Sequence, residues 1–328
     1  MYNEDDLNSA VQAGVMSAQT ADAFRAHVAR LDHSPAVDEE HFRLITGFND
    51  IFVVIACSLL LVSVNWIGAE FAAWLGPLGA AGTAWGLAEF FVRQRRMALP
   101  AIVLLLAFVG YIFYAIYAVM GAENSYIASG GAALAAWCHW LRFRVPVTVA
   151  AGTAAVVGTM VSVSIVAWPQ MQDYLPPFIF VAGVAVFALA MRWDTGDKLR
   201  LTRQSDVAFW LHLLAAPLLV HPVFSAVAFS DAPPSVIQGG VVLALYIAIA
   251  LVSVAIDRRA LMVSALAYVL YAFSSLLKIY GVVSLGFALT ALCVGSTLLL
   301  LSAFWHPCRG FVLSMLPSTL VKRLPAAH

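Results

Sequence analysis

The stretch "ALPAIVLLLAFVGYIFYAIYAVM", residues 98–120, has no charged side chain, and it lies between Arg93, Arg95 and Arg96 on one side and Glu123 on the other. About 20 consecutive apolar residues carry an α-helix across the ~30 Å hydrocarbon layer of a bilayer. In water this helix would have no polar face to present. In lipid it satisfies its backbone donors and acceptors internally, which is the condition for spanning. The segment reads as a membrane span whose arginine-bearing end lies in the cytoplasm, because cytoplasmic turns carry the excess of Lys and Arg.

Working outward, nine more stretches have the length and apolarity of spans: about 48–67, 70–92, 125–141, 146–168, 176–192, 206–228, 235–256, 260–278 and 282–304. The expected fold is all-α: a polytopic transmembrane helical bundle of about ten spans, N-in/C-in. Composition agrees. Hydrophobic residues make up 62% of the chain and charged residues only 11%, against about 25% charged in soluble domains. Mean hydropathy is +0.88. The formal net charge of zero hides an asymmetry. Arg25, Arg30 and Arg43, then Arg93, Arg95 and Arg96, then Arg142 and Arg144 fall on one side of the alternation. Arg192, Lys198, Arg200 and Arg203, then Arg258 and Arg259, then Arg309, Lys322 and Arg323 fall on that side too, and Lys278 alone falls on the other. The opposite turns carry Glu70, Glu123, Asp173 and Asp231 instead. Trp66, Trp74, Trp137, Trp140, Trp168, Trp193 and Trp305 lie near span ends, as an interfacial belt would. The longest charged loop is expected from Trp193 to Ser205.

Three parts are expected: an acidic cytoplasmic two-helix tail over 1–45, a transmembrane bundle over 46–304, and an amphipathic cytoplasmic tail over 305–328. In the first, Leu7, Ala10 and Val11 share a face, Gly14 fits a C-cap and Ser17 an N-cap, and Ala21, Phe24 and Val28 form a second stripe. Eight acids against three arginines in residues 1–45 oppose phosphate contact, so no nucleic acid is expected as a partner. In the last part, Phe311, Val312, Met315, Leu316, Leu320 and Val321 precede Lys322–Arg323, the pattern of a helix lying along the interface and kinked by Pro317. The four cysteines form no CxxC pair, so neither a disulfide nor a cysteine-bound metal is expected. No cofactor is expected, and from the polar, acidic start no cleavable signal peptide is expected either.

The segment "LNSAVQAGVMSAQTADAFRAHV" from Leu7, followed by a first span closing in Asn65–Trp66, resembles a bacterial membrane-protein family known as domain of unknown function 2157. The resemblance covers roughly Leu7 to Met120, with Val15 where a larger aliphatic residue is common. It implies a bacterial inner-membrane protein and brings no reaction with it.

Ionisable groups inside a membrane are costly and mark functional positions by default. His212 and His221 share the seventh stretch, nine residues apart; at about 100° per residue they point to opposite sides and cannot chelate one metal on a straight helix. Pro217 lies between them. In the ninth stretch Ser264, Tyr268, Tyr271, Ser275 and Lys278 follow at spacings that align them on one helical face. Tyr111, Tyr114 and Glu123 sit toward the outer end of the third, where Glu123 would pair with Lys278. These residues form the candidate polar cavity; the plainer reading of each is an interhelical hydrogen bond or an interfacial anchor. Glu89 and Arg93 have the order of a helical ion pair.

No HExxH, GxSxG, Walker A loop or strand-borne GxGxxG is present, so enzymatic action is not expected, and a lipid-acting enzyme would rest on the histidines alone. Two broader functions remain: a scaffold or accessory subunit that binds membrane lipid or a protein partner through its tails, and a secondary transporter of a small or amphiphilic molecule. Neither the ligand nor the partner is legible.

Overall fold

Every described element is helical, as expected of a chain whose backbone must satisfy itself away from water. The computed structural model describes residues 4–31, 48–197, 203–228, 236–259, 261–262, 264–266, 268–270, 292, 295–296, 304–317 and 324. The chain divides into two units, residues 1–41 with His328, and residues 42–327.

In the first unit, α1 (Glu4–Gln12) and α2 (Ala18–Leu31) bury Leu7 and Ala21. Gly14 ends α1 at φ +71°, with the Val15 N–H donating to the Ala10 carbonyl and the Gly14 N–H to that of Val11. This is the Schellman ending that the glycine predicts. The Ser17 hydroxyl accepts the Thr20 N–H at 3.1 Å, capping α2 where the sequence places its start.

In the second unit, α3 (Phe48–Ala69), α4 (Leu75–Ala88, continued by a π-helical turn Glu89–Gln94), α5 (Ala98–Met120) and α6 (Ser125–Phe143) follow in order. Then come α7 (Val147–Ala167), α8 (Leu175–Gly196), α9 (Arg203–Ala228), α10 (Val236–Ile256) and α11 (Trp305–Met315). Among the described residues, five helices are long and apolar enough to cross a membrane: Asn49–Ala69, Ala98–Met120, Val147–Ala167, Pro169–Gly196 and Arg203–Ala226. The chain is a multi-pass membrane protein in contact with lipid.

The expectation of about ten spans is corrected to these five among the described residues. The stretch 70–92 is divided: α4 itself has 14 residues before the backbone widens into the π turn carrying Glu89 and Arg93. The stretch 125–141 is helical, but Ser129, Gly130, Gly131, His139 and Arg142 dilute α6. In α10 the apolar stretch from Gly240 to Ile256 is shorter than a span. The ninth and tenth stretches lie for the most part outside the described residues.

Packing follows chain order. α4 lies on α5, α5 on α6, α6 on α7 and, most extensively, α8 on α9, with α3 on α4 and α5 and α7 on α9. Cys57, Leu61, Ala84, Ala88 and Leu104 form one apolar cluster, and Ala150, Val186, Ala190, Val207, Leu211 and Ala215 another. Half of the most apolar stretch of α9 is buried, against 6% in α7, so α9 is a central helix and α7 a lipid-facing one. Exposed apolar side chains such as Leu59, Phe71, Val181 and Trp168 clothe the outside.

Three local expectations are revised. α8 runs on through Trp193 and Asp194 to Gly196, and α9 starts at Arg203, so much of the expected loop from Trp193 to Ser205 is helix. Pro317 stops α11 rather than kinking it: Leu316 is already extended at ψ 147°, the conformation that a following proline imposes. Leu320 to Arg323 lie outside the described residues. Trp305, expected in the interfacial belt, is buried.

Candidate functional site

Helix α10 ends at Asp257, which holds the left-handed conformation at φ 61°. The Arg258 N–H donates to the Ser253 carbonyl and the Asp257 N–H to that of Val254. This is again a Schellman ending, with aspartate where glycine is usual. The carboxylate accounts for the choice. Asp257 accepts the Trp305 indole N–H at 2.7 Å and pairs with the Arg309 guanidinium at 3.2 Å, fastening α10 to α11. Arg259 lies over the Trp305 ring, 4.8 Å from its centre.

The turn sends Arg258 the other way. Its Nη2 donates to Asp194 Oδ1 at 2.6 Å and its Nε to Oδ2 at 3.2 Å, and Nη2 also reaches the Ser205 carbonyl at 3.4 Å. From α9 the His212 Nε2–H donates to the same Oδ2 at 3.2 Å. The Ser253 hydroxyl donates to the Arg258 carbonyl. Asp194, His212 and Arg258 are all buried, as are Asp257 and Arg309. Residues 257 and 258 therefore sit at the junction of two buried ionic clusters that tie the ends of α8, α9, α10 and α11. Charges held this far from water need well-aligned partners, and Asp194 has both carboxylate oxygens occupied by donors.

Of the candidates from sequence, His221 and Tyr268 come together: the His221 Nδ1 and the Tyr268 hydroxyl share a hydrogen bond. Tyr268 packs against Val220, Phe224, Val242, Ala265 and Val269, while His221 is exposed. His212 engages Asp194 instead, so the two histidines serve different neighbours, as their half-turn offset requires. Tyr111 is half-buried against the Cys57–Leu104 cluster. Tyr114 is exposed on the outside of α5, and Glu123 is exposed in the short turn that follows; the two do not join the histidines. Tyr271, Ser275 and Lys278, and with them the expected Glu123–Lys278 pair, lie outside the described residues. Among the described residues no three His, Cys, Asp or Glu side chains gather as a metal site would.

Three cavities among the described residues are lined by other groups. One of about 380 Å³ lies at Leu189, Arg192, Trp193 and Gln204, one of about 450 Å³ at Val62, Asn65, Trp66, Ala69 and Glu70, and a third of about 610 Å³ is an almost wholly apolar groove between α10 and α11. Sequence reasoning missed Asp194, Asp257 and Arg309 as partners, and it took Arg258 for a topogenic charge only. The one signal for Asp257 was an acid immediately after an apolar stretch and before two arginines. No family model, curated protein or solved structure matches the chain.

Proposed function

We propose that the chain is a scaffold or accessory subunit of the bacterial inner membrane, with both termini cytoplasmic, that engages lipid or protein partners and transports nothing. The buried, mutually paired cluster of Asp194, His212 and Arg258 supports this reading. These three satisfy one another beside one apolar cluster, and Tyr268, packed against another, bonds the exposed His221. A carrier needs polar groups turned toward a path that opens alternately to each side. The membrane assignment extends the resemblance over Leu7 to Met120, and the orientation extends the arginine bias.

Transport is the second reading. It is favoured by Pro217 and Pro222 interrupting α9 beside ionisable groups in a candidate span. Thiol accessibility separates the two. In a chain whose native cysteines are replaced by alanine, Ala215→Cys, one turn from His212, and Ser264→Cys, one turn from Tyr268, are expected to resist a membrane-impermeant maleimide. The reagent is applied to right-side-out and to inverted vesicles. Labelling of either position from both sides would overturn the scaffold reading in favour of transport.

A further inference from the structure

We propose that the two arginine turns, after α4 and after α6, together form a binding site for the phosphate headgroup of an anionic phospholipid. Helices α5 and α7 are both candidate spans, beginning at Ala98 and Val147. Arg95 and Arg96 directly precede the first, and Arg142 and Arg144 the second, so these guanidiniums lie where hydrocarbon gives way to headgroups. The turns are neighbours. Arg142 grips Glu89 with two hydrogen bonds, Nε to Oε1 at 2.7 Å and Nη2 to Oε2 at 3.0 Å, while Arg93 reaches the same carboxylate at 3.3 Å. Beneath them Val92 and Phe143 pack on the shared cluster of Ala101, Ile102, Leu105, Val145 and Val147.

The two turns thus carry five exposed arginines against one glutamate, which Arg93 and Arg142 engage, and among the described residues no other carboxylate pairs with them. Two of the guanidiniums left over are held against aromatic rings. Arg95 lies over Phe90 and Arg144 over Trp140, each 5.4 Å from the ring centre. Stacking occupies the flat face of a guanidinium and leaves its edge N–H groups, the fork that matches phosphate oxygens, directed elsewhere. Arg96 and Arg144 moreover hold left-handed backbone, at φ 54° and 55°. Glycine is the residue that adopts this conformation without strain, so each turn carries its charge at a conformational cost.

A lipid rather than a free phosphate is the occupant because apolar side chains continue from the turns toward the membrane. Phe90 lies exposed beside the first, and Leu141 and Trp137 on α6 beside the second, a surface suited to acyl chains. The inference deepens the scaffold reading and rests on it by naming which lipid the chain engages. Vesicle labelling and lipid retention read different parts of the molecule, so one can fail while the other holds.

The test uses the full chain, purified and titrated with phosphatidylglycerol or phosphatidylcholine, with bound lipid counted by native mass spectrometry. The variant R96Q/R144Q is expected to lose about tenfold or more in affinity for phosphatidylglycerol, with phosphatidylcholine unchanged. R96G/R144G, which relaxes the left-handed turns while removing the same charges, is expected to lose as much. The control R192Q/R203Q alters exposed arginines elsewhere and is expected to leave binding intact. Equal loss in the control would reduce the effect to general surface charge and overturn the site. So would retention of phosphatidylglycerol by both turn variants, or its complete displacement by inorganic phosphate.

Discussion

Asp194 meets a double electrostatic demand, since one buried carboxylate answers to both Arg258 and His212. Removing one member of a buried ion pair strands the other, a loss of about 3 to 5 kcal/mol, whereas replacing both with apolar groups of similar volume is often neutral. Asp194→Asn is therefore expected to lower unfolding stability in detergent by about that amount, and D194L/R258M to recover much of it; a double variant no better than the single would sink the account. The site was only half legible from sequence. His221 and Tyr268 stood out as polar groups in apolar stretches, and they pair. Asp194 sat beside Trp193 in what read as a charged solvent loop, and Arg258 lies 64 residues away with no periodicity linking the two. Contacts between helices distant in sequence leave no spacing to count.

At the scale of elements, α8 and α9 meet closely at one glycine and one missing hydrogen bond. Pro222 has no N–H to offer the Leu218 carbonyl one turn earlier, so α9 is open there. Gly183 of α8 closes on that point: a Cβ added to it would stand 2.9 Å from the Leu218 carbonyl carbon and 3.0 Å from its Cβ. Gly183→Ala must push the helices apart and is expected to cost about 1 to 3 kcal/mol, as overpacking does. Gly82→Ala meets open space and is expected to be neutral or, through helix propensity, stabilising. Thermal unfolding of both variants checks the pair, and an equal response would mean that the α8–α9 approach is not limiting. Element ends were legible where the residue type announces the geometry, as at Gly14 and Ser17. They were not legible at Arg96, Arg144 and Asp257, where left-handed endings carry charged residues and no glycine marks the stop.

For the molecule as a whole, the ion pair between Glu89 and Arg142 bears on topology more than hydropathy does. Glu89 precedes the turn from which α5 departs, and Arg142 lies in the last turn of α6. Their contact at 2.7 Å brings the two ends together. Although α6 is not among the five helices long and apolar enough to span, keeping that contact once α5 crosses requires α6 to return, and the prediction is that it does. Its 19 residues extend about 28 Å at 1.5 Å each, close to the hydrocarbon thickness. Ser129 and His139 are buried in the bundle rather than turned to lipid, which offsets the polar content that lowers the hydropathy of α6. A reporter fluorescent only in the cytoplasm is accordingly expected to light up when fused after Arg96 and after Arg144, and to stay dark after Glu123 and after Asp173. A dark fusion after Arg144 beside a bright one after Arg96 would mean that α6 lies outside the membrane. The two arginine turns would then face different compartments, and the Glu89–Arg142 contact could not hold in the bilayer.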